Sequence, residues 1–274
     1  MGQKYPSTTL PTTRSKSVGP ALRHRIALPE PSLAYDQDAE WLVLHSADSG
    51  WREIRFHDYA EIYELPGLYE QIFYEILKCS SPKFMSDFLR IELEFAGVAP
   101  NQLRVLDLGA GNGIMGEELR KLGVNFVIGV DILESAARAA ARDRPGIYDE
   151  YHVVDMTALP ADRLRIMRGY RFNALTCIAA LGFGDIPPAC LRAAFNLLAD
   201  GGWLVFTIKE GFLSESDHSG FSALLKAAVR DGSLEVVGTE VYQHRLATNG
   251  TPLYYTGVVA RKLADLEPPG RTPA

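Results

Sequence analysis

The run Asp107-Leu-Gly-Ala-Gly-Asn-Gly113 constrains this chain more than any other feature. It follows a short apolar run, Arg104-Val-Leu-Asp-Leu108, and precedes a helical pattern from Ile114 to Leu122. Glycines between a strand and a helix let the backbone turn sharply and approach a ligand with no Cβ in the way. The helix N-terminus beside them offers unpaired N–H groups, which suit an anionic or carboxylate-bearing ligand. Such a turn belongs to open α/β sheets, and the pattern downstream agrees with one. Residues 125–130 read as a second strand, 134–142 as an alanine-rich helix, 151–154 as a third strand and 172–179 as a fourth. A helix over 190–199 and the turn Asp200-Gly-Gly202 lead into a fifth strand, Trp203-Leu-Val-Phe-Thr-Ile208. Strands separated by single helices imply a parallel sheet with right-handed crossovers. After a helix from about Phe221 to Arg230, two strands over 234–245 and 252–261 flank Asn249-Gly250, a hairpin signal. The expected fold class is α/β: a doubly wound, mostly parallel sheet with an antiparallel C-terminal hairpin, plus an N-terminal cap region.

The first hundred residues have a different texture. Residues 1–30 read as a flexible lead with proline and threonine, and 265–274 as a flexible tail. Between them, 31–100 forms the cap region and 101–264 the α/β domain. Glu40-Trp-Leu-Val-Leu-His45 and Trp51-Arg-Glu-Ile-Arg-Phe56 around Asp48-Ser-Gly50 predict a β-hairpin. Leu68, Ile72, Phe73, Ile76 and Leu77 share one face of a predicted helix over 68–77, and Ser81-Pro82 opens another that stops at Gly97. Trp41, Trp51, Tyr59, Tyr63, Tyr69, Phe73 and Tyr74 make the region aromatic enough to cap a pocket and line it. Tyr69 lies off the apolar helix face and is the one expected to reach a ligand.

Three acids mark the ligand edge. Asp107 lies in the glycine turn, Asp131 ends the second strand and Asp155 ends the third. A carboxylate at the position of Asp131 can accept hydrogen bonds from a ribose diol. Any one of them alone would read as a helix or turn cap. Together, at the carboxyl ends of three successive strands, they mark the edge where open α/β sheets bind ligands.

Val105-Leu-Asp-Leu-Gly-Ala-Gly-Asn-Gly113 resembles motif I of the class I S-adenosylmethionine-dependent methyltransferases. Gly129-Val-Asp131, Val154-Asp155-Met156, 172–180 and Leu197-Leu-Ala-Asp-Gly-Gly-Trp-Leu-Val-Phe206 resemble the later motifs, so the resemblance spans residues 102 to 262. It implies S-adenosylmethionine as cofactor. Asp107 would hold the amino end of the methionine moiety, directly or through water, and Gly109, Ala110, Gly111, Asn112 and Gly113 would carry the turn beneath it. Asp131 would bind the ribose hydroxyls with Ile132 packed on adenine. Asp155 would accept from the adenine amino group, Met156 would supply a backbone N–H, and the main chain near Cys177 and Ile178 would face the sulfonium.

Two rivals compete with that reading. Gly111-Asn-Gly113-Ile-Met-Gly116 also satisfies the dinucleotide pattern G-x-G-x-x-G, and Tyr74 and Lys78 make a Tyr-x-x-x-Lys pair, as in an NAD(P)-dependent oxidoreductase. That pair precedes the nucleotide motif, however, whereas in short-chain dehydrogenases it follows. A non-catalytic cofactor-binding protein of the same fold is the second rival, since fold does not guarantee chemistry. Ile178-Ala-Ala180 stands where adenine- and protein-amide-modifying enzymes carry Asn/Asp-Pro-Pro-aromatic; Asp185-Ile-Pro-Pro188 comes later and reads as a loop leading into a helix. Asp185, His218 and His244 are candidate bases by position only, and no catalytic residue is assigned.

Composition narrows the acceptor. A formal net charge of −6 weighs against general affinity for phosphate backbones, so nucleic acid is not expected as a partner. Arg163, Arg165, Arg168 and Arg171 read as a solvated helix face. A small-molecule substrate is favoured, while a protein substrate stays open. Cys79, Cys177 and Cys190 are odd in number and far apart, which fits free thiols in a reducing, cytoplasmic setting and no metal site. No apolar run approaches the ~18 residues of a membrane span, and the N-terminus lacks the apolar core of a secretory signal.

Overall fold

The computed structural model describes residues 23–32 and 35–267. Its centre is a sheet of seven strands. Five are parallel: β4 (Arg104–Leu108), β5 (Phe126–Asp131), β6 (Glu150–Val153), β7 (Ala174–Cys177) and β8 (Trp203–Ile208). Antiparallel β9 (Leu234–Leu246) and β10 (Pro252–Lys262) complete the order β6-β5-β4-β7-β8-β10-β9. The residues of β7 and β8 are buried throughout, as in a sheet covered on both faces. From β4 the chain winds outward through β5 and β6, then crosses to β7 on the other side. The crevice between β4 and β7 is the switch point at which doubly wound sheets bind ligands.

Helices α3 (Ile114–Leu122), α4 (Glu134–Asp143), α5 (Ala161–Gly169), α6 (Pro188–Phe195) and α7 (Phe221–Arg230) accompany the strands. The arginines of α5 lie on its exposed side, as a solvated face would have them. One core cluster joins Leu106, Ile128, Leu175 and Phe206 to Phe195 and Phe221. A second, on alternate residues of the same strands, joins Val105, Val127 and Val205 to Met85, Leu89 and Leu93 of α2 (Ser81–Ala96). Hence α2, expected within the cap, packs on the sheet. Its C-cap, Gly97 at φ 66, closes it as the sequence predicts.

Upstream, β1 (Arg25–Ala27), β2 (Trp41–Ser46) and β3 (Gly50–Arg55) form a three-stranded antiparallel sheet. The predicted hairpin is β2–β3. The expected flexible lead is corrected at its end: Ile26 and Ala27 of β1 are buried because β1 pairs with β2. Residues 1–22 and 268–274, the remainder of the lead and most of the expected tail, lie outside the described residues. A third apolar cluster packs Leu42, Ile54 and Phe56 against Ile62, Leu68, Ile72 and Phe73.

The helix predicted over 68–77 is wound as a π-helix over Glu70–Ile76, preceded by α1 (Tyr59–Glu64). Leu77 N–H donates to Ile72 C=O at 3.0 Å and Cys79 N–H to Phe73 C=O at 2.7 Å, longer loops than an α-helix makes. The fourth strand also stops short of its expected end. Ala179 turns the chain at φ 56, and its N–H donates to Thr207 Oγ1 at 2.7 Å. At the C-terminal hairpin, residues 247–251 separate the strands, with Gly250 at φ 84. No helix among the described residues is long and apolar enough to cross a membrane.

Candidate functional site

At the carboxyl ends of β4, β5 and β7 lies a cavity of about 330 Å³. It is lined by Asp131, Ile132, Asp155 and Met156, by Gly109 and Ile178, and by Tyr59, Tyr63 and Tyr69. The loop after β7 supplies Asp185, Ile186 and Pro187. The strand ends thus bring the predicted acids of the second and third strands together, and the N-terminal tyrosines face them.

Asp131 Oδ2 accepts from Gly111 N–H and Oδ1 from Leu133 N–H, both at 3.0 Å. Burial pushes its carboxyl up, and the N–H groups of Leu133, Gly111 and Ile132 oppose the shift. A carboxylate offers roughly four lone-pair sites, so these bonds orient Asp131 and leave acceptor capacity toward the cavity. Asp155 is exposed. Thr157 donates to its Oδ1 from the hydroxyl at 2.7 Å and from N–H at 2.8 Å, which holds the carboxyl below its usual range. Beside them Ile132 is 63% exposed, an apolar surface that a flat ring would cover. Met156 is buried.

Seven of the twelve residues singled out from sequence line this cavity: Tyr69, Gly109, Asp131, Ile132, Asp155, Met156 and Ile178. The other five lie behind it, each for a visible reason. Asp107 is 1% exposed and accepts from Thr176 Oγ1 at 2.6 Å and Tyr148 OH at 2.7 Å. Burial pushes its carboxyl up to about 6 against those two bonds. The Asn112 amide donates to Glu70 Oε1 at 2.7 Å, and Glu70 also receives Arg144 at 2.9 Å. Gly111, at φ 53, leaves the space of its missing Cβ to Tyr63 OH, which would sit 2.4 Å from it. Tyr151 OH donates to Gly111 C=O, and Tyr148 OH points to Ala110 C=O at 3.3 Å. Gly113, at φ 91, caps α3 with Ile147 and Tyr148 packed against it. Tyrosines therefore take up the glycine turn from both sides.

Tyr59, Tyr63 and Tyr69 pack on one another, with ring centroids 5.0 to 6.5 Å apart. Tyr63 also meets Ala136 and Ala139 of α4. Burial raises all three hydroxyl pKa values, keeping the rings neutral. Trp41 and Trp51 do not reach the cavity. Trp41 packs on Tyr35 and Trp51 on His45, away from the sheet edge. Tyr74 and Lys78, the pair that favoured a dehydrogenase, do not line this cavity.

A second, smaller cavity of about 30 Å³ shares Tyr59, Tyr69, Ala179 and Asp185 with the first. His57, Gln37, His244, Arg245 and Tyr255 also line it. Asp185 Oδ2 lies 2.9 Å from His57 Nδ1. Of the three candidate bases named from sequence, only Asp185 lines the larger cavity. His244 is buried against Tyr255, with Nδ1 2.6 Å from Ser81 Oγ, and burial and Arg245 push it down to about 3. His218 is exposed in a loop and lines neither cavity. His57, Gln37 and Tyr148 escaped the sequence reading. His57 lies 128 positions from Asp185, and no spacing rule connects them.

A family model described as a methyltransferase domain matches residues 81–233, more than half the chain. The ubiquinone biosynthesis O-methyltransferase of Xanthomonas axonopodis pv. citri is 29% identical over 178 residues, covering 64% of this chain and 65% of that protein. The Bordetella avium protein of the same name is 31% identical over 123 residues, covering 43% and 48%. The chain thus spans just under two thirds, or less, of these curated relatives. The structure of magnesium protoporphyrin IX methyltransferase from Synechocystis with bound S-adenosylmethionine aligns with a TM-score of 0.46 at 17% identity, covering 65% of this chain and 77% of that one. The matched stretch begins at Ser81, where α2 first packs on the sheet, and runs through motif I, all three acids and the fifth strand. On that match and on the strand order, the chain belongs to the class I S-adenosylmethionine-dependent methyltransferases.

Proposed function

We propose that the protein transfers a methyl group from S-adenosylmethionine to an oxygen of a small-molecule acceptor. The observation that carries this reading is the cavity, lined by nucleoside-type acceptors and by aromatic rings. Its donor set fits the cofactor. Asp131 has free acceptor positions for a ribose diol, Asp155 Oδ2 is free for an exocyclic amine, and Ile132 is bare beside them. When bound, S-adenosylmethionine supplies a methyl group already activated on a sulfonium. The chain's own task is then to hold, align and exclude water. Tyr59, Tyr63 and Tyr69 line the same cavity, and aromatic faces suit a positive charge.

Oxygen as the receiving atom rests on the relatives named O-methyltransferases. A small acceptor rests on the relatives' names, together with a net charge of −6 that disfavours nucleic acid. All three cysteines are free thiols, and on that ground we place the protein in the cytoplasm. Two measurements test the reading. Calorimetry should show binding of S-adenosylmethionine and its demethylated product, and none of NAD or NADP. Label from methyl-labelled cofactor should then enter the small-molecule fraction of an extract. Dinucleotide binding without cofactor binding refutes the nucleotide assignment, and label confined to protein refutes the small acceptor.

A further inference from the structure

A neutral hydroxyl is a poor nucleophile, and a ring-borne hydroxyl with a pKa near 10 keeps its proton at neutral pH. If the acceptor atom is oxygen, something must take that proton as the new bond forms. The loop after β7 is built around one side chain suited to help. Gly182, Phe183 and Gly184 have φ of 95°, 53° and 87°, and Asp185 N–H closes the turn on Gly182 C=O at 3.0 Å. A left-handed conformation is strained for a non-glycine residue such as Phe183. The fold tolerates it here, and the turn sets Asp185 in the wall shared by both cavities.

Against Asp185 stands His57, which follows β3 and comes from the other side of the cleft. Its Nδ1 is 2.9 Å from Asp185 Oδ2, and its ring packs between Tyr59 at 5.7 Å and Phe183 at 5.5 Å. A carboxylate only accepts, so Nδ1 donates, and the neutral ring then carries its lone pair on Nε2. Nε2 makes no hydrogen bond among the described residues. Both side chains keep partial access, at 20% and 25% exposed. A second observation points to a polar ligand in the same place: Gln37 lines the smaller cavity with Oε1 buried and without a partner among the described residues, while its Nε2 donates to Tyr255 OH.

We propose that His57, oriented by Asp185, accepts the proton of an aromatic hydroxyl during methyl transfer. This inference rests on the O-methyltransferase reading above. The smaller cavity, at about 30 Å³, holds a water but no ring, so the acceptor ring belongs in the larger one with its hydroxyl at the shared wall. The O–H proton passes to His57 Nε2, directly or through one water. The oxygen's electron pair makes the new C–O bond, and the pair of the broken S–C bond stays on sulfur. His57 becomes an imidazolium beside Asp185 and later returns its proton to solvent. Asp185 is the positioning residue. The other titratable groups around the same small cavity are Tyr59, Tyr69, Cys79, His244, Arg245 and Tyr255, with Lys209 over the Phe183 ring.

The test has an arm that needs no turnover. In the ¹⁵N-histidine NMR spectrum of the full chain, the His57 signals, assigned by their absence in His57→Gln, should show the Nδ1–H tautomer. Asp185→Asn should shift the population toward Nε2–H. A neutral His57 that is mainly Nε2–H in the unaltered protein overturns the proposal. The second arm compares catechol with 4-nitrocatechol, which is largely ionised at neutral pH and needs no base. His57→Gln should lower kcat on catechol about 100-fold or more, with little change in KM or in the rate on 4-nitrocatechol. Equal losses on the two probes overturn the role of His57 while leaving O-methyl transfer intact. If the unaltered protein binds S-adenosylmethionine but methylates neither probe, the aromatic-hydroxyl acceptor itself is refuted.

Discussion

Replacing Asp107 by asparagine separates what motif I implies from what the folded chain does with it. Asp107 is 1% exposed, and burial moves its carboxyl from 3.8 up to about 6, against the bonds from Thr176 and Tyr148. A raised value means that between those limits the folded chain keeps a proton that the unfolded chain has released. The contribution to stability is therefore full below about pH 4 and is lost as pH rises through about 6. Integrated over that window the loss is about 3 kcal/mol. Asparagine does not titrate. Any fixed cost of fitting an amide against Tyr148 cancels from the slope, so the variant should gain about 3 kcal/mol on the unaltered protein between pH 4 and 7. Urea unfolding at four pH values reads this directly, and parallel stability curves would refute the buried-carboxyl account. The same variant tests the binding role. A charged hydrogen bond to the cofactor, worth roughly 1.5–3 kcal/mol, would make its loss tenfold or more in affinity. Because Thr176 and Tyr148 take the carboxylate inside the wall, we expect Asp107→Asn to keep S-adenosylmethionine affinity within about threefold of normal. A tenfold loss in the folded variant would show that Asp107 reaches the ligand after all.

Asp131→Ala should weaken S-adenosylmethionine binding at least tenfold, since it removes an acceptor that faces the cavity and frees the Gly111 and Leu133 N–H groups it orients. An unchanged Kd by calorimetry, in a variant that still unfolds cooperatively, would reduce Asp131 to a loop brace. Glu40→Ala should cost about 3–5 kcal/mol, because it leaves Arg245 charged and buried and the Thr248 N–H without its acceptor. Urea unfolding checks this: a loss below about 1 kcal/mol would mean that water reaches Arg245 freely, and Glu40→Leu with Arg245→Met should recover most of any larger loss.

The α/β half was legible because each of its signals is local. Val105-Leu-Asp-Leu108 reads as a buried strand, the glycine turn has one obvious use, and α7 matches its periodicity from Phe221 to Arg230. Departures occur where a distant partner intervenes. Apolar spacing alone could not show that residues 70–76 wind as a π-helix, because their register answers to Tyr59 and Tyr63 on one side and to Glu70's bonds with Asn112 and Arg144 on the other. Nor could composition reveal that Ile26 is buried, since its strand is completed only by β2. Helix α2 shows the same limit: its apolar face is plain in sequence, but that it covers the seven-stranded sheet is not.

The site divides along the same physical line. Asp131 and Asp155 could be read as neighbours because strand ends are visible in sequence and converge in a parallel sheet: Asp131 closes β5, Asp155 follows the end of β6, and both line the cavity. Asp107 follows the same logic, which does not say which way a side chain turns: its carboxyl accepts from Thr176 and Tyr148. Tyr148, which takes the Asp107 carboxylate, lies just before β6 and carries no motif. The acceptor end shows the limit more sharply. His57 follows one hairpin, Asp185 sits in a loop set by three left-handed residues, and Gln37 lies in a short turn before β2. None is periodic and none neighbours another in sequence. The cofactor end reuses the fold's own strand ends, so its chemistry is written in the spacing that makes the fold. The acceptor end is assembled between an N-terminal segment and a loop, so its chemistry exists only after the two have packed.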